Sequence, residues 1–181
     1  MVYASTRHSD HADIYLQRVD GTSVTQLTND SADDAFPVFS PDGKKVAFCS
    51  TRSGSWQVHV MDADGRNRQV IATMPTVKQA WTSVYVLVPS WSPDGLSVVV
   101  PAQTTRVQPD IWSVGVHGKN LHRLTRTKQV SESRPIISPD GTNIAYQREP
   151  DGATVGHLWL MDRDGSNRRA LLSTPDGEFG A

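Results

Sequence analysis

Pro37-Val38-Phe39-Ser40-Pro41-Asp42-Gly43-Lys44-Lys45-Val46-Ala47-Phe48-Cys49 reads as an apolar run, a turn and a second apolar run. Serine can bond back to the turn backbone, proline presets φ near about −65° at the second position, and glycine tolerates a left-handed exit. Ser40-Pro41-Asp42-Gly43 therefore suits a type I turn between two strands. The flanks are short and rich in β-branched and aromatic residues, as strands are. The same turn returns as Ser92-Pro93-Asp94-Gly95 and Ser138-Pro139-Asp140-Gly141, 52 and then 46 positions on. A proline stands three residues before each serine, at Pro37, Pro89 and Pro135.

Working outward, a second marker occurs four times, three of them after a turn: Asp13-Ile14-Tyr15-Leu16, Gln57-Val58-His59-Val60, Asp110-Ile111-Trp112-Ser113 and His157-Leu158-Trp159-Leu160. A glycine turn comes next, at Asp20-Gly21, Asp64-Gly65, His117-Gly118 and Asp164-Gly165, and then a short run such as Thr25-Gln26-Leu27-Thr28 or His122-Arg123-Leu124-Thr125. With the strands named a, b, c and d, one repeat is a, Ser-Pro-Asp-Gly turn, b, variable loop, c, glycine turn, d. Four antiparallel strands in roughly 45 residues make one blade of a β-propeller. No segment carries a helical period, so the expected fold is all-β. The large residues Tyr15, Trp112 and Trp159 share one position of strand c and are expected to pack between neighbouring blades.

Aligning Ser5-Thr6-Arg7 with Ser50-Thr51-Arg52 sets the first repeat to begin inside strand b. The expected layout is one propeller domain of about four blades: a partial blade over 1–28, blades over 29–72, 73–125 and 126–172, and a tail over 173–181. Blades bury their faces against one another, so an open arc exposes apolar surface at both ends. A fragment of a larger propeller, a small closed ring and a homo-oligomer joined through open ends all satisfy that requirement.

The 181 residues carry a formal net charge of −1. That leaves no basic excess to neutralise a phosphate backbone and argues against nucleic acid as a partner. Cys49 is the only cysteine, which excludes an internal disulfide, and its place on an apolar strand suits a small buried hydrophobe. The longest mostly apolar stretch, around Ser83 to Val88, is far short of the roughly 20 residues of a membrane helix. The opening residues have neither the basic start nor the apolar centre of a secretory signal.

The Pro-x-x-Ser-Pro-Asp-Gly runs from Pro37, Pro89 and Pro135, with Val60-Met61-Asp62-Ala63-Asp64-Gly65 and Leu160-Met161-Asp162-Arg163-Asp164-Gly165, resemble the repeats of the TolB-like propeller family, whose Pro-Asp blades are WD-repeat-like. The resemblance spans nearly the whole chain. It implies a non-enzymatic scaffold that binds another protein, and a periplasmic or otherwise exported location. The family's namesake is a six-bladed binding platform that follows a smaller α/β domain and works with an outer-membrane lipoprotein. Similar blades also accompany peptidase domains and occur in carbohydrate-active enzymes. The alternative expectation is therefore the propeller portion of an enzyme, either a gating domain of a serine peptidase or a carbohydrate-active propeller with a channel metal.

Alternating strand direction puts the b–c and d–a loops on one face and the glycine turns on the other. The loop face is the variable one, and binding residues tend to sit on loops over a rigid scaffold. It gathers the His8 loop, the insertion from Thr73 to Tyr85 with Trp81, and the loop from Arg148 to Gly156. Strand a should border the channel, so Asp34 and Glu132, each six residues before the serine marker, are candidate rim residues beside Trp81 and Arg148. His8, Asp10 and His11 are imidazole and carboxylate groups of the kind that hold zinc or another divalent ion, although a turn-rich surface loop has the same composition. No other cofactor is implied. Asp62-x-Asp64-Gly65-x-Asn67 and its counterpart from Asp162 resemble the start of a calcium loop without the closing glutamate, and the c–d hairpin needs a glycine turn in any case. No Gly-x-Ser-x-Gly presents a nucleophile.

Overall fold

The computed structural model describes residues 1–73, 88–102, 108–150 and 156–171, and every regular element among them is a β-strand. In chain order these are β1 (Val2–Ser5), β2 (Asp13–Gln17), β3 (Val24–Gln26), β4 (Asp34–Phe39), β5 (Lys45–Ser50), β6 (Gln57–Asp62), β7 (Gln69–Thr73), β8 (Ser90–Trp91), β9 (Ser97–Ala102), β10 (Asp110–Gly115), β11 (His122–Arg123), β12 (Val130–Ile137), β13 (Asn143–Pro150), β14 (His157–Asp162) and β15 (Arg169–Ala170). They form four antiparallel meanders: β1-β2-β3, then β4-β5-β6-β7, β8-β9-β10-β11 and β12-β13-β14-β15. The chain is a partial propeller, with one three-stranded blade followed by three of four strands. No helix among the described residues is long and apolar enough to cross a membrane.

The inner strands of the second and third blades are apolar on both faces because each of these blades is covered by a neighbour on either side. Val46 and Phe48 of β5 pack toward the first blade with Ile14, Leu27 and Met61. Their alternates Ala47 and Cys49 pack toward the third blade with Val58, Val60, Trp91, Val98 and Val100. All four β5 residues are 0% exposed. Burial pushes the Cys49 thiol up to about 12, which suits a packing residue rather than a nucleophile. The third and fourth blades meet through Val99, Ile111 and Leu124 against Ile144, Tyr146 and Met161.

Each Ser-Pro-Asp-Gly turn closes by the same bonds. In the first, the Gly43 amide donates to the Ser40 carbonyl at 2.9 Å, the Ser40 hydroxyl to Asp42 Oδ1 at 2.6 Å, and the Lys44 amide to the same carboxylate at 3.1 Å. Gly43 has φ +70, the left-handed exit expected of it. In the last turn the Ser138 hydroxyl and the Thr142 amide hold the Asp140 carboxyl down at about 2. The upstream prolines have a matching role. Proline cannot donate to the ladder, and the β4–β5 and β12–β13 registers shift at Ala35/Val38 and Ser133/Ile136, across Pro37 and Pro135. The residues before them, Phe36 and Arg134, take φ of 57° and 50°.

Strand c aligns Tyr15, His59, Trp112 and Trp159 opposite Tyr3, Phe48, Val100 and Tyr146. His59 is the polar member of this slot. It is 2% exposed and stacks on Phe48 at 5.2 Å, and neither ring nitrogen has a hydrogen-bond partner among the described residues. Burial, reinforced by Arg52 and Arg68, lowers its pKa from 6.5 to about 4. Between those values the unfolded chain binds a proton that the folded chain refuses, so stability falls as pH drops through this window, by up to about 3 kcal/mol. His59→Phe should remove that loss. In urea titrations at pH 7, 5.5 and 4.5, its stability advantage over the parent is expected to grow with each acid step, whereas a constant difference would acquit His59.

Candidate functional site

At the loop end of the blades, Asp34 and Glu132 take the same place on the innermost strand. Asp34 pairs with Ser50 and Glu132 with Arg148, and both acids are 0% exposed. The amide of each donates to the preceding blade, Asp34 to the Ala12 carbonyl at 2.7 Å and Glu132 to the Pro109 carbonyl at 2.9 Å. Their carboxylates are met differently. Arg52 Nη2 lies 2.9 and 3.0 Å from the two Asp34 oxygens and 3.3 Å from Asp30, while Arg68 holds Asp30 from its other side at 3.2 Å. Arg148 stops 4.0 Å from Glu132, and neither Glu132 oxygen has a hydrogen-bond partner among the described residues. Burial pushes the Glu132 carboxyl up, and burial together with Glu132 pushes Tyr146 up to about 12.

An arginine caps a strand-b or strand-c ring in every blade. Arg7 lies over Tyr3 and Tyr15 at 5.6 and 5.2 Å, Arg52 over Phe48 at 6.0 Å, Arg123 over Trp112 at 5.8 Å and Arg148 over Trp159 at 4.4 Å. Such stacking is attractive and is strongest where water is excluded. Beneath this layer, Asp13 accepts the Thr28 hydroxyl at 3.2 Å, and Thr28 accepts the Ile14 amide at 2.9 Å. Asp110, Thr125 and the Ile111 amide repeat the pattern, with Arg123 as an additional partner of Asp110. The Leu-Thr that ends strand d thus ties the outer strand to strand c.

The residues that follow the c–d turns reach back to the preceding blade. Arg68 Nη2 donates to the Leu27 carbonyl at 3.3 Å and Arg168 Nη2 to the Leu124 carbonyl at 2.5 Å. The third blade has Leu121 at that position. Its contact with the second blade instead uses Gln69 Nε2 on the Val116 carbonyl and Trp91 Nε1 on the Val38 carbonyl, both at 3.0 Å. Arg68 and Arg168 were not among the expected site residues, although the matching Asn67-Arg68 and Asn167-Arg168 carry the signal. The calcium-like hairpins satisfy themselves, with the Asn67 amide on Asp62 and the Asn167 amide on Asp162, each at 2.6 Å.

The remaining expected residues fall as follows. His8 Nδ1 is 3.0 Å from the Tyr15 hydroxyl, His11 Nδ1 is 3.8 Å from Asp33, and Asp10 is exposed. Among the described residues no group of three or more His, Cys, Asp or Glu side chains is placed to hold a metal ion. Trp81 lies outside the described residues, as do 103–107, 151–155 and the tail from 172. Along the innermost strands, Val38, Phe39, Val88, Trp91, Pro135 and Ile136 line a mainly apolar groove of about 390 Å³. Ile136 is 64% and Val88 41% exposed there.

Comparison with known proteins agrees with this architecture. The Tol-Pal system protein TolB of Anaeromyxobacter dehalogenans is 29% identical over 166 residues, which is 90% of this chain and 35% of that protein. The protein TolB homolog of Chlorobium luteolum is 34% identical over 146 residues, 81% of this chain and 30% of that one. The chain thus spans about a third of the length of these relatives. The structure of a putative TolB from Agrobacterium tumefaciens superposes with a TM-score of 0.79 at 22% identity, covering 94% of this chain and 60% of that one. The sequence profile of the TolB beta propeller domain matches residues 1–180, and the chain belongs to that family.

Proposed function

We propose that this chain is a non-enzymatic, Tol-Pal-type binding propeller that acts in the periplasm and engages another protein along its innermost strands and loop-end rim. The observation that carries the reading is the groove shared by three successive blades, in which Val88 and Ile136 remain open to solvent. Exposed apolar residues lining a concave site mark a binding surface more often than a solvated face. Arg148, with the buried acids Asp34 and Glu132 behind it, is proposed as a charged rim at the loop end of the same innermost strands, and Trp81, proposed beside it from the sequence, lies outside the described residues. The Tol-Pal assignment is supported by the names of the two relatives.

The test is titration of the chain with the Tol-Pal lipoprotein of its own organism, followed by calorimetry. Saturable binding is expected, and Ile136→Glu should weaken it at least tenfold without changing the unfolding midpoint, because that side chain is 64% exposed. Absence of binding, or binding indifferent to Ile136→Glu, would overturn the reading.

A further inference from the structure

Asp34 and Glu132 hold matching places on the innermost strand, yet only the first is closely met by a cation. The residue across the ladder is Ser50 for Asp34 and Arg148 for Glu132, so the position two further on is Arg52 in the second blade and Pro150 in the fourth. Proline has no charge to offer. The cation nearest Glu132 on its own blade is therefore Arg148, which stops 4.0 Å away and lies over the Trp159 ring at 4.4 Å, with 29% of its side chain exposed. Tyr146 stands where the second blade has Phe48, and its hydroxyl is buried near the acid with no hydrogen-bond partner among the described residues.

Glu132 lies in the seam between two four-stranded blades, and polar groups face it from both. The third blade presents Asp110, 1% exposed and engaged by Arg123, and the Thr125 hydroxyl, which lies 3.4 Å from Asp110 and accepts the Ile111 amide at 2.9 Å. The fourth presents Tyr146, Arg148 and Arg168, the last committed to the Leu124 carbonyl at 2.5 Å, and His157 pairs with Arg148 across the ladder. Burial and the Asp110 charge favour the neutral acid, while Thr125, Arg168 and Arg148 favour the carboxylate. Burial prevails, and the Glu132 pKa is raised from 4.5.

We propose that Glu132 is a proton-binding site that sets the position of Arg148: protonated, it leaves the guanidinium over Trp159 and open to the rim, and ionised, it draws the guanidinium off the ring into contact with its two oxygens. A neutral acid competes poorly with a π-face for a guanidinium, whereas a buried carboxylate forms the stronger, charge-assisted bond. The proton released passes to solvent. From 4.5 upward the folded chain keeps a proton that the unfolded chain has lost, so stability falls as pH rises through this window, opposite in sign to the effect of His59. The rim thus offers a guanidinium to an acidic group of a partner only while Glu132 holds its proton. The switch itself needs no partner and stands or falls apart from the Tol-Pal reading.

The test is an NMR titration of the full chain from pH 4 to 8, following the Glu132 carboxyl carbon, the Arg148 Nε–H and the Trp159 indole. Glu132 is expected to titrate with a midpoint above 4.5, and the Arg148 and Trp159 signals should shift with that same midpoint. Glu132→Gln should abolish both shifts, whereas a shift that survives it belongs to His157. Arg148→Met, which keeps an aliphatic chain over Trp159, should move the Glu132 midpoint further up. The proposal is overturned if Glu132 titrates at or below 4.5, if the Arg148 and Trp159 signals do not follow it, or if they still move in Glu132→Gln.

Discussion

Gly165→Ala is expected to destabilise the chain by about 2–4 kcal/mol in urea unfolding. Two independent effects add at this position. Gly165 has φ +88, where an L side chain is strained, and a Cβ there would sit 2.6 Å from the Leu124 carbonyl oxygen of the preceding blade. That oxygen also accepts Arg168, so moving it away sacrifices a second inter-blade bond. Gly43→Ala is the control, because φ is +70 and nothing lies within 4 Å of the added carbon. It should cost only about 1 kcal/mol, the strain alone. Equal losses in the two variants would mean that close approach of the blades is not what Gly165 preserves.

Arg52→Ala is expected to cost about 3–5 kcal/mol, since it strands a carboxylate that is 0% exposed. Asp34 would lose its contacts at 2.9 and 3.0 Å, and Asp30 would retain Arg68 and the Ala32 amide. The expected loss comes from leaving a buried charge without its partner, so removing that charge as well should restore stability. Arg52→Met combined with Asp34→Asn is expected to recover at least half of the deficit in thermal and urea unfolding. A double variant as unstable as Arg52→Ala would show that the arginine acts through packing on Phe48, which lies 6.0 Å away.

The fold was legible because its punctuation is chemical. Ser-Pro-Asp-Gly predicts a turn from the conformational limits of proline and glycine, and the structure adds that Asp42, Asp94 and Asp140 each accept both the serine hydroxyl and a following amide. The recurring Pro37 and Pro135 mark a register shift that periodicity does not register, since a bulge offsets the two sides of the strand. The loop-end chemistry was harder to see. Asp34 and Glu132 stand at matching distances from their serines, but the cation beside the first comes from a loop past β5 and the cation beside the second from directly across the ladder. Sequence spacing within one repeat therefore does not identify the pairing. His59 shows the converse, because nothing in Gln57-Val58-His59-Val60 announces that the imidazole occupies a slot filled elsewhere by tyrosine and tryptophan.

The hairpin arginines carry one more consequence. Arg68 and Arg168 lie 100 positions apart, and the hairpin between them has Leu121 instead. Among the described blades, two joints bearing an arginine thus flank one that lacks it, so the seam chemistry repeats over a couple of blades rather than over a single blade. A circle made only of such couples meets itself with every seam matched when the number of blades is even.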